Sequence, residues 1–229
     1  MATYSPEQAR QQAQNQSGAT TYSPAYQRLY TNIALSWNKE EHQHLHTLLL
    51  TTPQVFSESA VVAANIAMAA SQSGITTLLI DADLRAAGIS RYFGLSLPGL
   101  SDLYKNKTIT PQSIQSCLNT TAFSHLFLLS AGQKHLSASE IGHLFTMHLE
   151  DILRGLHQSI QKITQGSGLI IFHCPAVIAG VEASLISAQV EQTFLLLAAG
   201  HSTRTEARRA QAQLQRAHAN LEGILWLNR

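Results

Sequence analysis

Two carboxylates and an arginine follow a short apolar run in this chain: Asp81, Asp83 and Arg85 lie in the segment TTLLIDADLR. The apolar run indicates a buried strand, which places the three charged side chains at its carboxyl end. Carboxylates in such a position can hold Mg²⁺ beside the phosphates of a nucleotide. The structural alternative, which we favour, is a strand-end turn held by an Asp–Arg pair, because structural ion pairs produce such clusters as well as functional sites do.

The turn at 51–60, TTPQVFSESA, lies between a second apolar run and a helical pattern, where a phosphate-binding loop would stand. Such a loop reads G-x-x-x-x-G-K-[ST]. Its glycines let backbone N–H groups close around phosphate, its lysine pairs with the phosphates and its hydroxyl holds Mg²⁺. This turn contains neither glycine nor lysine. The sequence therefore predicts an emptied phosphate site inside an intact strand–turn–helix unit.

Histidines alternate at His42, His44 and His46, directly before and within the first apolar run. In an extended segment all three would share one face, where their imidazoles could bind Zn²⁺ or Ni²⁺. No cysteine or carboxylate is evident at a matching spacing. We therefore favour a polar lead into the first strand and predict no metal site.

Two further histidine patterns could carry chemistry. His173 and Cys174 are adjacent, as a base and a nucleophile could be, but neighbours on a strand point to opposite faces, so no catalytic pair is expected. His143 and His148 are five residues apart in a helical pattern and are expected not to share a face.

The composition favours a cytosolic globular protein. Hydrophobic residues make up 45% of the 229 residues, while charged residues make up only 13%, against roughly 25% in an average domain. A surface so poor in charge suggests that a partner covers part of it, although Gln, Ser, Thr and His could also solvate it. The net charge of +1 implies no general attraction to nucleic acid. The sequence has no signal-peptide pattern, no bilayer-length apolar run and no disulfide framework.

Residues 1–22 are polar and rich in Gln, which predicts a flexible tail, and 23–229 are predicted to form a single domain. Short apolar runs alternate there with helical segments, which predicts an α/β fold with a mostly parallel sheet of six or seven strands and helices on both faces. Ligands of such sheets bind beyond the carboxyl ends of the strands. The crevice would therefore be formed by the turn 51–60, the segment 81–85 and the segment 172–175.

With these residues in place, the chain resembles the bacterial tyrosine kinases of capsule and exopolysaccharide export, which are P-loop ATPases of the MinD/ParA type. The resemblance runs from about Ala25 to Arg229. It rests on AYQRLYTNI, on LLIDADLR followed by YFGL and PGLSDLY, on LLSAG followed by SASEI, and on the closing GILWLNR, in the order of the family. It implies a P-loop NTPase-like fold and assigns to Asn228 the adenine contact made by the last strand.

The residues that would handle phosphate depart from the family. The loop glycines fall on Phe56 and Glu58, the lysine on Ser59 and the Mg²⁺-binding hydroxyl on Ala60. The Mg²⁺-associated carboxylate of the third motif falls on His173. Enzymes that transfer phosphoryl groups work mainly by positioning their substrates and by stabilising charge. In the family these positions supply both effects, whereas the residues present here do not. We therefore expect no catalytic residue and no bound nucleotide, metal or other cofactor, with Asp81, Asp83, Arg85 and Asn228 forming a vestigial cleft.

The first helix also departs from the family. In the family it carries a Glu and two Arg that join subunits into a ring, and the matching positions here are Pro24, Gln27 and Tyr30. The family's tyrosine-rich C-terminal tail is also absent from the sequence. We therefore predict a constitutive homo- or hetero-oligomer that is insensitive to ATP, with a partner interface through Tyr26, Leu29 and Tyr30.

These departures predict a catalytically inactive relative, a pseudokinase, that acts as a scaffold or regulatory subunit in polysaccharide synthesis or export. Its partner would be a membrane polysaccharide-export protein or an active kinase paralogue, and that partner would hold it at the inner face of the membrane. Two alternatives stay open. One is an active tyrosine kinase or ATPase with a rewired site, which would require ATP–Mg²⁺. The other is a MinD/ParA-like ATPase in another process, such as positioning or secretion.

Overall fold

Seven strands form one sheet in the order β3-β4-β2-β5-β1-β6-β7. The computed structural model describes residues 24–37, 44–104, 109–164 and 167–227. The predicted tail 1–22 lies outside these residues. The strands are β1 (Leu45–Thr51), β2 (Thr77–Asp81), β3 (Leu118–Thr120), β4 (Leu126–Leu129), β5 (Gly168–His173), β6 (Gln192–Ala198) and β7 (Leu221–Leu227).

The helices of the described residues lie between these strands, with one preceding β1. They are α1 (Pro24–Ala34), α2 (Ser59–Gln72), α3 (Gly88–Tyr92), α4 (Leu100–Leu103), α5 (Pro111–Cys117), α6 (Ala138–Thr164), α7 (Glu182–Ser187) and α8 (Arg204–Arg216). Within the described part of the chain, none of them combines the length and the apolar character needed to cross a bilayer.

The sheet is mostly parallel, as predicted. The neighbouring strands pair in parallel except at β3–β4, which is antiparallel. The central strand β5 is buried along its whole length, which explains why its sequence GLIIFH is nearly continuously apolar rather than alternating. The strand β3 was not predicted, because its sequence LNT carries no apolar run and it follows α5 without an intervening turn.

Helices cover both faces of the sheet and complete two apolar cores, which confirms the predicted α/β fold. One core joins the sheet to residues of α4, α5, α6, α7 and α8. The other joins it to α1, α2 and α3. Helix α2 is buried along much of its length, and its sequence, SAVVAANIAMAASQ, is rich in alanine, which favours a helix. It is followed by Gly74 at φ 84°, a left-handed conformation that suits glycine at a helix end.

Helix α1 packs its aromatic face onto the second of these cores. Tyr30 is only 6% exposed, while Tyr26 and Leu29 are partly buried against the same core. Burial raises the pKa of Tyr30 above its ordinary value. The predicted interface therefore needs a correction at Tyr30, because its side chain belongs to the interior of the subunit. An interface through Tyr26 and Leu29 stays a prediction.

Candidate functional site

A cleft opens where β1, β2 and β5 end, at the carboxyl edge of the sheet. The topology places these strands side by side, and Asp81 at the end of β2 is the register partner of His173 at the end of β5. Ser59 begins α2, which follows β1. A cavity of about 260 Å³ lies here, and its lining includes Ser59, His173, Arg85 and Phe56. The structure thus brings together the three segments that the sequence predicted to form one crevice.

Ser59, His173 and Asp81 form a continuous chain of polar contacts in the floor of this cleft. Ser59 Oγ lies 3.0 Å from His173 Nε2, and His173 Nδ1 lies 3.4 Å from Asp81 Oδ1. The three residues are 8%, 2% and 0% exposed, respectively. The sequence placed the three residues in one crevice but predicted no contacts among them, because Ser59 follows β1, Asp81 ends β2 and His173 ends β5.

The second oxygen of Asp81 is held by backbone donors of α3. Asp81 Oδ2 accepts hydrogen bonds from the N–H groups of Ile89, at 3.0 Å, and Ser90, at 3.2 Å. Helix α3 reaches this position because it packs tightly on α2: a Cβ atom at Gly88 would lie 2.7 Å from the Cβ of Ala60. Both carboxylate oxygens of Asp81, which a metal ion would have to bind, therefore contact other groups of the protein.

The turn before α2 closes on itself. The N–H of Ser59 donates to the carbonyl of Phe56 at 3.1 Å, and the N–H of Val62 donates to the carbonyl of Glu58 at 3.0 Å. The Phe56 ring is buried and lies 5.1 Å from the ring of His201, centroid to centroid. A phosphate-binding loop turns such N–H groups toward its ligand, whereas here the N–H of Ser59 is used inside the turn.

Arg85 pairs with a residue that the sequence did not suggest. Its Nη1 lies 2.7 Å from Oε1 of Glu182 in α7, and the Glu182 side chain is 1% exposed. Asp83 instead accepts hydrogen bonds from the backbone N–H groups of Arg85 and Ala86. The favoured Asp–Arg side-chain pair was therefore wrong. Glu182 lies against Gly180, where a Cβ atom would come within 2.1 Å of its Oε2.

Asn228, the fourth residue of the predicted vestigial cleft, lies outside the described residues, since β7 ends at Leu227. Its adenine contact stays a prediction. The described members of that group do not form one cluster: Asp81 joins His173 and Ser59, Asp83 caps its own turn, and Arg85 pairs with Glu182.

One expectation about the histidines was wrong, namely that His143 and His148 would not share a face. The rings of His143 and His148 stack at 6.1 Å with an interplanar angle of 3°. Positions five apart are separated by about 140° around a helix, and the two rings reach across that distance. The structure also places Glu191 beside His44 and His46, although no carboxylate was evident from the sequence spacing. Glu191 is distant in the chain and reaches the histidines through the β1–β6 pairing.

Cys174 is buried beside the cleft, and its thiol is predicted to be unreactive. Burial raises the pKa of Cys174 well above its ordinary value, and the neighbouring carboxylates Glu182, Asp83 and Asp81 raise it further. Burial also raises the pKa of Cys117. Because the thiolate is the nucleophile, we expect iodoacetamide at pH 8 to label neither cysteine of the folded protein within an hour. Both should react in urea, and rapid labelling of Cys174 in the folded state would contradict this prediction.

The comparisons with known proteins lead to bacterial tyrosine kinases. No protein-family profile matches the chain. It is 26% identical over 209 residues to a putative tyrosine-protein kinase, CapB, of Staphylococcus aureus, covering 90% of this chain and 84% of the relative. It is 22% identical over 204 residues to the tyrosine-protein kinase YwqD of Bacillus subtilis, covering 89% of this chain and 79% of the relative.

Solved structures agree on the fold. The chimerical protein CapA2B2 superposes with a TM-score of 0.73 at 20% identity, over 96% of this chain and 90% of the other. The BceF tyrosine kinase domain gives 0.69 at 25% identity, over 89% and 75%. The MinD cell division protein of Aquifex aeolicus gives 0.52 at 15% identity, over 80% and 68%. The chain is therefore a homologue of bacterial tyrosine-protein kinases and has the fold of the MinD/ParA-type P-loop superfamily.

Proposed function

We propose that this protein is a catalytically inactive relative of the bacterial tyrosine kinases that acts as a scaffold or regulatory subunit in polysaccharide synthesis or export. The observation that carries the proposal is the chain of contacts from Ser59 through His173 to Asp81. In the alignment to the family, Ser59 stands at the lysine position and His173 at the position of a Mg²⁺-associated carboxylate. Both residues are turned toward each other and are nearly closed off from solvent.

The chemistry of phosphoryl transfer gives this observation its meaning. A kinase of this type stabilises the transferring phosphoryl group with the ammonium group of its loop lysine and with Mg²⁺. Ser59 has no positive charge, and Ala60 has no oxygen with which to bind a metal. Imidazole nitrogen is a poor ligand for Mg²⁺, which prefers oxygen. Backbone N–H groups of α3 donate hydrogen bonds to the remaining carboxylate oxygen of Asp81. The lysine, the metal-binding hydroxyl and the metal-associated carboxylate of the family are thus all replaced in this chain.

The loop geometry supports the same proposal. The buried ring of Phe56 lines the cavity in which phosphates would have to lie. Glu58 is exposed at the start of α2 and would repel a phosphate there. The closed turn does not present the N–H of Ser59 to a ligand.

A binding role then accounts for the retained fold. The low charge of the sequence, 13% of residues, favours a surface that is partly covered by a partner. By analogy with the relatives, that partner is a membrane polysaccharide-export protein or an active kinase paralogue, which would hold this chain at the inner face of the membrane. The net charge of +1 favours no nucleic-acid partner. Tyr26 and Leu29 remain the proposed contact residues of a homo- or hetero-oligomer.

Restoring the site is the first test of the proposal. A variant with Phe56→Gly, Glu58→Gly, Ser59→Lys, Ala60→Ser and His173→Asp should gain Mg²⁺-dependent ATP binding that the unchanged protein lacks. The control keeps His173 and carries only the four loop substitutions. Because the metal-associated carboxylate is then still missing, it should bind ATP more weakly. ATP hydrolysis or tyrosine phosphorylation by the unchanged protein would sink the proposal and favour an active kinase with a rewired site.

Sedimentation of the pure protein with a candidate kinase paralogue tests the scaffold role. We expect a complex that forms equally well with and without ATP, and that a Leu29→Glu substitution weakens by placing a charge in the apolar contact. The matched control, Leu35→Glu, changes an exposed leucine just beyond the same helix and should leave the complex intact. Assembly only in the presence of ATP would instead favour the MinD/ParA-like alternative.

A serine nucleophile is the second candidate function, favoured by the same contacts. A serine next to a histidine that a third group orients is the arrangement of acyl-transfer enzymes. Ser59 begins α2, after the turn that follows β1, and lines the cavity of about 260 Å³. In this reaction His173 would take the Ser59 proton while Oγ attacks an ester carbonyl, and would then return that proton to the leaving alcohol.

A fluorophosphonate probe separates this candidate from the inactive protein. A nucleophilic Ser59 would be labelled in the folded chain. Labelling would disappear in Ser59→Ala and His173→Gln but persist in Ser57→Ala, which changes an exposed serine of the same turn. No labelling of the folded protein is the result that the proposed inactive function predicts.

A further inference from the structure

A second cluster of ligating side chains lies at the amino edge of the sheet, opposite the cleft. His44 immediately precedes β1, His46 is its second residue, and Glu191 immediately precedes β6. His44 Nε2 lies 2.5 Å from Glu191 Oε1, and His46 Nδ1 lies 3.2 Å from Glu191 Oε2. We propose that His44, His46 and Glu191 bind a divalent transition metal ion, of which Zn²⁺ is the best match.

The local fold explains why these side chains meet. His44 and His46 are two residues apart in an extended segment, so both point to the same face. Strands β1 and β6 are parallel neighbours, with Leu48 opposite Gln192. This register brings the residue before β6 alongside the first residues of β1, and the imidazole rings lie 4.6 Å apart, centroid to centroid.

The positions of Glu191 and His46 are supported by contacts that do not use their ligating atoms. The backbone N–H of Glu191 donates to Thr47 Oγ1 at 2.9 Å, and its carbonyl accepts from Asn220 Nδ2 at 2.7 Å. The His46 ring stacks on Trp37 at 4.2 Å with an interplanar angle of 13°. Trp37 is itself anchored by a hydrogen bond to Gln192 at 3.0 Å. Supporting contacts of this kind hold metal ligands in place.

The ligand chemistry selects the class of ion. Two imidazoles and one carboxylate suit Zn²⁺, Ni²⁺ or Co²⁺, whereas Mg²⁺ and Ca²⁺ prefer oxygen ligands alone. The ligating atoms all lie within 4.8 Å of one another. Tetrahedral zinc at its usual bond lengths needs separations of roughly 3.3 Å, so modest side-chain rotations are sufficient. The cluster is partly exposed, with side-chain accessibilities of 34% for His44, 16% for His46 and 39% for Glu191, which leaves a fourth position for water.

Metal binding would join parts of the chain that are distant in sequence. It would tie the start of β1 to the start of β6, next to the Trp37 ring that follows α1. The ion would therefore raise the thermal stability of the folded protein, because it binds that state and not the unfolded one. This role is independent of the nucleotide cleft and of the proposed pseudokinase function.

Calorimetric titration of the untagged, EDTA-treated full chain with Zn²⁺ tests the site. We expect one ion per chain, a raised melting temperature, and no comparable response to Mg²⁺. Glu191→Gln keeps the shape of the side chain and should weaken zinc binding by about tenfold or more, and His44→Ala with His46→Ala should abolish it. The matched control, His143→Ala with His148→Ala, removes a second pair of neighbouring histidine rings and should bind zinc normally.

Tryptophan fluorescence gives a second readout that locates the ion. Ni²⁺ or Co²⁺ bound at His46 should quench Trp37, the ring that stacks on it. The chain has two tryptophans, so Trp37→Phe should remove the quenching while Trp226→Phe should retain it. The proposal is overturned if the unchanged protein binds no zinc, if zinc affinity survives both the Glu191 and the double-histidine substitutions, or if the His143 and His148 control is the variant that loses it.

Discussion

Replacing His173 with aspartate is expected to lower the free energy of unfolding by about 3–5 kcal/mol at pH 7, the usual cost of a buried charge without a partner. The new carboxylate would face Asp81 directly, because the two positions are register partners on β2 and β5. Both positions are essentially closed to water. Two carboxylates held together in this way cannot both ionise without a large repulsion.

The pH dependence of this variant has a definite sign. The repulsion raises the pKa of one carboxyl of the pair in the folded state above its unfolded value, so the folded variant holds the extra proton more tightly. The loss in the free energy of unfolding, relative to the unchanged protein, should therefore be smallest below about pH 4 and should grow as the pH rises. Denaturant unfolding at several pH values measures it. The control, His173→Asn, adds no charge and should cost about 1–2 kcal/mol. An equal loss in the free energy of unfolding for His173→Asp and His173→Asn at pH 7 would contradict this prediction.

Replacing Arg85 with alanine is expected to cost about 3 kcal/mol, because it leaves the buried carboxylate of Glu182 without its ion-pair partner. The measurement is urea unfolding at pH 7. Arg85→Met combined with Glu182→Leu removes both charges and should restore most of the stability. If Arg85→Ala alone were to change stability by less than about 0.5 kcal/mol, water would have to reach Glu182, and the structural role of this pair would be wrong.

Much of the fold could be predicted from the sequence because the central strands are buried on both faces. Runs such as LLL in β1 and LIIF in β5 stand out from the residues around them, and helical segments between successive strands favour parallel pairing. The edge strand β3 could not be found in this way, since LNT has neither the length nor the apolar character of a buried strand.

The site was predictable in its location but not in its contacts. Parallel topology alone places the ends of β1, β2 and β5 at one edge, so Asp81 and His173 were expected in the same crevice. The contact of His173 with Ser59 depends on side-chain rotamers, and the hydrogen bonds to Asp81 depend on the close packing of α3 against α2. The partnership of Arg85 with Glu182, like that of Glu191 with the two histidines, joins residues roughly 100 or more positions apart, and no local pattern reports such pairs.

Whether the nucleotide cleft is inactive is tested by a calorimetric titration of the unchanged full chain with ATP in the presence and absence of Mg²⁺. The restored variant, with the loop glycines, lysine and serine and with Asp at 173, serves as the reference under the same conditions. We expect no saturable binding to the unchanged chain at ATP concentrations up to about 1 mM. Binding in the low micromolar range that requires Mg²⁺ and is lost in EDTA would contradict it.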